Sequence, residues 1–166
     1  MKLKTLNSWQ EINKNDYINY GIVETEFMKC EGAYLKNYQS QNITITLYNY
    51  GKAQENAFDE IEESLEQNEK ENYLVDGNSN NPDYEDTTIL SCIFKDRLNI
   101  NGYNCLGLVS KILLPEATYS YVFQLYGLSN GNLYSIQFKF ANFDESNIEK
   151  TLSEDETFNE VLNSIY

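Results

Sequence analysis

YSYVFQLYGLSNGNLYSIQFKF, residues 119–140, decides the fold. Two runs of alternating apolar and polar residues flank the dipeptide Asn130-Gly131. Asn-Gly supplies two consecutive positive-φ positions, which a two-residue type I′ hairpin turn requires. With that turn, positions equidistant from it face each other. Leu125 meets Ile136, Phe123 meets Phe138 and Tyr121 meets Phe140. The intervening positions pair Tyr126 with Ser135, Gln124 with Gln137 and Val122 with Lys139. One face is apolar and the other mostly polar, so turn chemistry and pattern specify the same register.

The same grammar extends outward. Asn101-Gly102 is a second hairpin signal, and Pro115-Glu116-Ala117 breaks the chain between the two. Residues 88–141 therefore read as a four-stranded antiparallel meander of 88–100, 103–113, 118–128 and 132–141. Upstream, Ile43, Ile45 and Leu47 alternate with Thr44, Thr46 and Tyr48, the period of a strand over 42–50. Residues 31–38 form its hairpin partner, and 17–23 read as a further edge strand.

Two amphipathic helices complete the set. Over 54–69, Phe58, Ile61 and Leu65 share one face. Over 154–165, Phe158, Val161, Leu162 and Ile165 form an apolar stripe, with Ser153 and Glu156 as a capping box before it. Both stripes need a partner surface, which the sheet provides. The expected fold is α+β, an antiparallel sheet of about five to seven strands with helices packed on it, in one domain spanning 1–166.

Composition narrows function by exclusion. The chain has 26 acidic residues, 12 basic ones and no histidine, for a formal charge of -14. Without histidine there is no Ser-His or Cys-His nucleophile and no imidazole ligand for zinc. The charge repels nucleic acid and anionic lipid, and suits a basic protein or bound cations. Fourteen tyrosines and eight phenylalanines supply enough large rings for a core built on strands. The three cysteines, Cys30, Cys92 and Cys105, show no C-x-x-C spacing and read as small buried hydrophobes, with one pair still available for a bridge. No stretch is long and apolar enough for a membrane span, and Asn7, Ser8, Gln10 and Glu11 interrupt any signal-like run after Lys2 and Lys4. The expected location is cytoplasmic, or exported where a signal or lipid anchor has been removed.

Chemical motifs are few. In the polar loop 76–86, Asp76, Asn78 and Asn80 match the first ligand positions of a calcium loop. Asn81 stands where the sharp turn needs Gly, and Thr87 where a bidentate Glu is needed, so no metal site is expected. Gly51-Lys52 lacks the upstream Gly of a phosphate-binding loop. No cofactor and no catalytic residue are expected. The 54–71 helix region is different. It carries Glu55, Asp59, Glu60, Glu62, Glu63, Glu66, Glu69 and Glu71 against Lys70 alone, with repelling i,i+4 pairs such as Asp59–Glu63 and Glu62–Glu66. Two accounts stand: a solvated face kept soluble by charge, or a docking face for a basic partner formed by Asp59, Glu62, Glu63 and Glu66.

The closing phrase from Glu156 through Phe158, Val161, Leu162 and Ser164 to Ile165, and the run Gly131-Asn-Leu133-Tyr134-Ser-Ile136-Gln-Phe138, resemble the terminal helix and penultimate strand of PsbP-like domains, the superfamily that includes Ran-binding Mog-like factors. The resemblance covers 31–166. It implies an antiparallel sheet closed by a short C-terminal helix, and a mostly non-catalytic family whose bacterial members include secretion chaperones and lipoproteins. The expected function is a non-enzymatic, acidic binding or adaptor protein, as a chaperone or immunity-type inhibitor of a basic partner. The alternative is a ligand- or cation-binding envelope protein, with an enzyme third.

Overall fold

A computed structural model describes residues 1–75, 88–113 and 118–166. Seven strands form one antiparallel sheet: β1 (Trp9–Glu11), β2 (Lys29–Tyr38), β3 (Gln41–Lys52), β4 (Thr88–Ile100), β5 (Tyr103–Leu113), β6 (Tyr119–Ser129) and β7 (Asn132–Lys139). Their order is β1-β2-β3-β7-β6-β5-β4. Two meanders are thus joined at the β3–β7 seam, where Ile45 pairs with Phe138 and Leu47 with Ile136. Three α-helices accompany them: α1 (Ala57–Val75) after β3, then α2 (Ile148–Glu154) and α3 (Glu156–Ser164) at the end of the chain.

The central hairpin has the expected register. Phe123 pairs with Phe138 and Leu125 with Ile136, and the Phe140 amide donates to Tyr121 O at 2.9 Å beyond the last ladder pair. Asn130 and Gly131 hold φ of 52° and 72°, and Asn101 and Gly102 hold 51° and 87°, as type I′ turns require. A third two-residue turn, Gln39-Ser40, takes positive φ at both positions without glycine, so its sequence carries no such signal. The expected break at 115–117 lies outside the described residues.

Strand alternation splits the core between two faces. Ile43, Ile45, Leu47, Val109, Phe123, Leu125, Ile136 and Phe138 pack with Leu152 of α2, Phe158 and Val161 of α3, and Ile165 just after it. The Phe123 ring stands 5.0 Å from Phe158 and 5.3 Å from Phe138, in tilted and edge-on geometries that suit aromatic quadrupoles. Gly127 keeps this face open for Met1, whose sulfur would lie 2.7 Å from a Cβ placed there. On the opposite face, α1 sets Phe58, Ile61 and Leu65 against Leu106 and Leu108, the three apolar positions expected of it.

Three local expectations are corrected. Residues 17–23 are not an edge strand. Lys14–Tyr20 is a 3-10 helix, opened when Asn13 Oδ1 accepts the Asn15 N–H and closed by Gly21 at φ 66°. Those short-range caps outcompete pairing, and β1 takes the sheet edge instead. The helix expected at 154–165 is α3, but a separate helix, α2, precedes it and was not expected. Asp155, extended at ψ 117°, separates them and caps α3 by accepting the Phe158 N–H at 2.7 Å. Ser153 is not that cap, because its hydroxyl donates backward to Lys150 O within α2. The helix placed at 54–69 starts at Ala57 and runs to Val75.

Candidate binding cleft

The polar face of the central hairpin becomes the floor of a cleft. A strap of residues 12–28 covers the β2–β3 end of that face through Ile12, Tyr17, Ile22 and Met28. Helix α1 covers the β4–β6 end. Beside α1 lies a cleft of about 640 Å³ bounded by Tyr50, Gln124, Tyr126 and Leu133 of the sheet and Ala57, Glu60, Ile61 and Leu65 of α1. That volume lies within the usual range for ligand sites.

Hydrogen bonds preorganise the floor. Gln137 Nε2 donates to Tyr50 OH at 3.3 Å and to Ser135 Oγ at 3.1 Å. Tyr50 OH and Ser135 Oγ are 3.2 Å apart. Gln124 Nε2 donates to Tyr126 OH at 3.3 Å, and the Tyr50 and Tyr126 rings lie 6.2 Å apart. Burial, then the neighbouring Tyr50, pushes the Tyr126 phenol above its usual range, so it stays a neutral hydroxyl. Apart from the tyrosines, the ionisable side chains on the lining are Lys52 and Glu60. The lining offers ring faces for stacking and amide and hydroxyl groups for hydrogen bonding.

The acidic residues expected to dock a partner divide by position on α1. Asp59 and Glu62 both accept from Arg97 Nη2 of β4, the former at 2.7 Å. Lys95 Nζ lies 3.8 Å from Glu62 and 3.7 Å from Glu66. Arg97 also stacks 5.3 Å above the Phe58 ring. Three of the four acids therefore lean toward β4, whereas Glu63 is exposed away from it. Glu60 points to the cleft instead. Sequence spacing registers only helical neighbours, so the cations supplied by β4 were not visible to it. The cleft residues Tyr50, Gln124 and Tyr126 were missed as a site, as was Gln137, which donates to Tyr50. Their one signal was the mostly polar row on one face of the central hairpin.

A second polar cluster lies under α3. Lys36 Nζ sits 3.0 Å from Glu160 Oε2 and 3.3 Å from Glu156 Oε1. Trp9 Nε1 donates to the same Glu160 oxygen at 2.8 Å. Desolvation acts to raise the Glu160 carboxyl, but the Trp9 and Lys36 hydrogen bonds outweigh it and hold the group below its usual range. Burial raises Asp155 beside it. Burial pushes the Cys105 thiol up to about 11 and raises Cys30, which disfavours the thiolate at both. Among the described residues no group of three or more Cys, Asp or Glu is placed to hold a metal ion. The weak calcium-loop match at Asp76 lies outside the described residues. No described helix is long and apolar enough to cross a membrane.

No protein-family model matches the chain, and no curated protein does. Among solved structures, the solution structure of cyanobacterial PsbP (CyanoP) from Synechocystis sp. PCC 6803 superposes with a TM-score of 0.56. The match covers 99% of this chain and 85% of that one at 10% identity. The fold is PsbP-like. At that identity the likeness speaks for architecture alone, and function has to be argued from the site.

Proposed function

We propose that this protein is a non-enzymatic, acidic binding protein that docks a basic segment of another protein along α1 and the adjoining cleft. The observation that carries the reading is the aromatic and amide floor of Tyr50, Gln124 and Tyr126, walled by a helix whose Glu60, Glu63 and Glu66 are exposed. Rings and amides take up an extended or helical segment through stacking and hydrogen bonds, and the acids favour cationic side chains. Asp59, Glu62, Glu63 and Glu66 supply the steering charge, with Arg97 and Lys95 holding the first, second and fourth in position. Such a protein would act in the cytoplasm as a chaperone or an immunity-type inhibitor. A ligand-binding role in the cell envelope uses the same cleft without the helix acids.

The test is stopped-flow association with a fluorescent lysine-only peptide across a salt series. Association should slow steeply as the Debye length falls from about 10 Å at 0.1 M to about 3 Å at 1 M. A variant carrying Asp59→Asn with Glu62→Gln, Glu63→Gln and Glu66→Gln should lose most of that salt dependence. An unchanged rate and affinity in the variant would leave solubility as the sole role of the charge.

A further inference from the structure

Six large hydrophobic side chains are strongly exposed among the described residues, and four of them fall within ten positions of the strap: Ile18 (84%), Tyr20 (41%), Val23 (58%) and Phe27 (75%). Scattered exposed hydrophobics are ordinary, but concentration in one short segment is not. The strap has two sides. Tyr17, Ile22 and Met28 turn inward onto Ala33 and Tyr48, while the four exposed residues turn outward.

The backbone that carries the outward side is tied by hydrogen bonds. The Ile22 N–H donates to Tyr17 O at 3.0 Å. Thr25 fixes the turn that projects Phe27: its N–H donates to Met28 O at 2.9 Å, and its Oγ1 accepts from the Phe27 and Met28 amides at 3.2 and 3.1 Å. Glu24 ties the strap to the sheet by accepting the Cys30 N–H at 3.1 Å, and Lys14 Nζ braces the same carboxylate at 3.0 Å. An aromatic and aliphatic row presented on a prefixed backbone is what a binding hot spot needs, because little ordering entropy remains to be lost on docking.

We propose that Ile18, Val23 and Phe27 form a docking surface for a basic amphipathic segment of another protein. Charge selects that occupant. Residues 11–31 hold Glu11, Asp16, Glu24, Glu26 and Glu31 against Lys14 and Lys29, and Lys14 is already engaged by Glu24. Exposed apolar side chains in an acidic segment fit an apolar stripe with a basic border. A second copy of this chain would bring the same acids face to face, with another formal charge of -14. This surface is separate from the cleft and stands without it.

The probe is a short synthetic amphipathic helix made only of Leu and Lys, titrated by calorimetry against the parent, an Ile18→Ser/Phe27→Ser variant and a Phe27→Lys variant. Both variants change exposed side chains, and thermal melts should match the parent. Binding should weaken about tenfold or more in each. Equal affinity in parent and variants overturns the proposal. So does Phe27-dependent binding to phosphatidylcholine vesicles, which assigns the row to lipid. Phe27-dependent dimerisation in sedimentation assigns it to self-association and also overturns it. The lysine-only peptide keeps the two readings apart, because it should respond to the α1 variant and ignore both strap variants.

Discussion

Lys36 Nζ stands 3.0 Å from Glu160 Oε2, and the lysine side chain is 1% exposed while the glutamate retains 24%. This asymmetry joins β2 to α3 across the sheet face and sets which half of the pair is costly to orphan. Lys36 has almost no water to fall back on; Glu160 has some, and keeps the Trp9 hydrogen bond as well.

The pair should therefore respond unequally to mutation. Removing both carboxylates (Glu156→Gln with Glu160→Gln) strands a buried cation and should cost about 3 kcal/mol or more. Lys36→Met removes the buried charge itself and should cost less than half as much. Urea midpoints of the two variants at neutral pH give the comparison. Equal losses would mean that the ion pair is not what holds α3.

The α3 cap gives a second contrast. Asp155→Ala removes the acceptor for the Phe158 amide and should cost about 1 kcal/mol. Ser153→Ala should change stability by no more than about 0.5 kcal/mol, since its hydroxyl only returns to Lys150 O near the end of α2. Thermal melts of the two single variants decide between the caps.

Around α3, two opposed shifts bear on acid stability. Glu160 is held below its usual value in the folded state, so its contribution is present above the unfolded value of about 4.3 and is lost as pH falls through the folded value. Asp155 is raised by burial, so the folded state binds its proton more tightly and gains stability as pH falls. Asp155→Asn keeps a capping oxygen and deletes only the opposing gain. The variant should lose stability more steeply than the parent between about pH 5 and 3. Parallel denaturation curves over that range would contradict the assignment.

Neutralising Asp59, Glu62, Glu63 and Glu66 should leave stability within about 1 kcal/mol of the parent. The exposed pairs to Arg97 and Lys95 are lost, but so are the repulsions along the helix. Phe58, Ile61 and Leu65 still hold α1 on the sheet. Phe123→Ala, in contrast, empties a fully buried site among Phe138, Phe140 and Phe158 and should cost about 4 kcal/mol. Both values are read from chemical denaturation.

By itself, the sequence determined the features whose physics is local or periodic. Asn130-Gly131 and the alternation around it specify strands, register and the face that carries Phe123 and Phe138, because turn geometry and a period of two leave one solution. The stripe Phe58, Ile61, Leu65 marks the buried side of α1 for the same reason. Tertiary structure decided what depends on residues far apart in the chain. Lys36 meets Glu160 across 124 positions, and Asp59 meets Arg97 across 38. The pairing of β3 with β7 brings Tyr50 to Gln137, and the placement of α1 on that face leaves the cleft beside it. No periodicity encodes such meetings. They follow from which sheet edges and faces the packed chain leaves open, and that is settled only when the whole core closes.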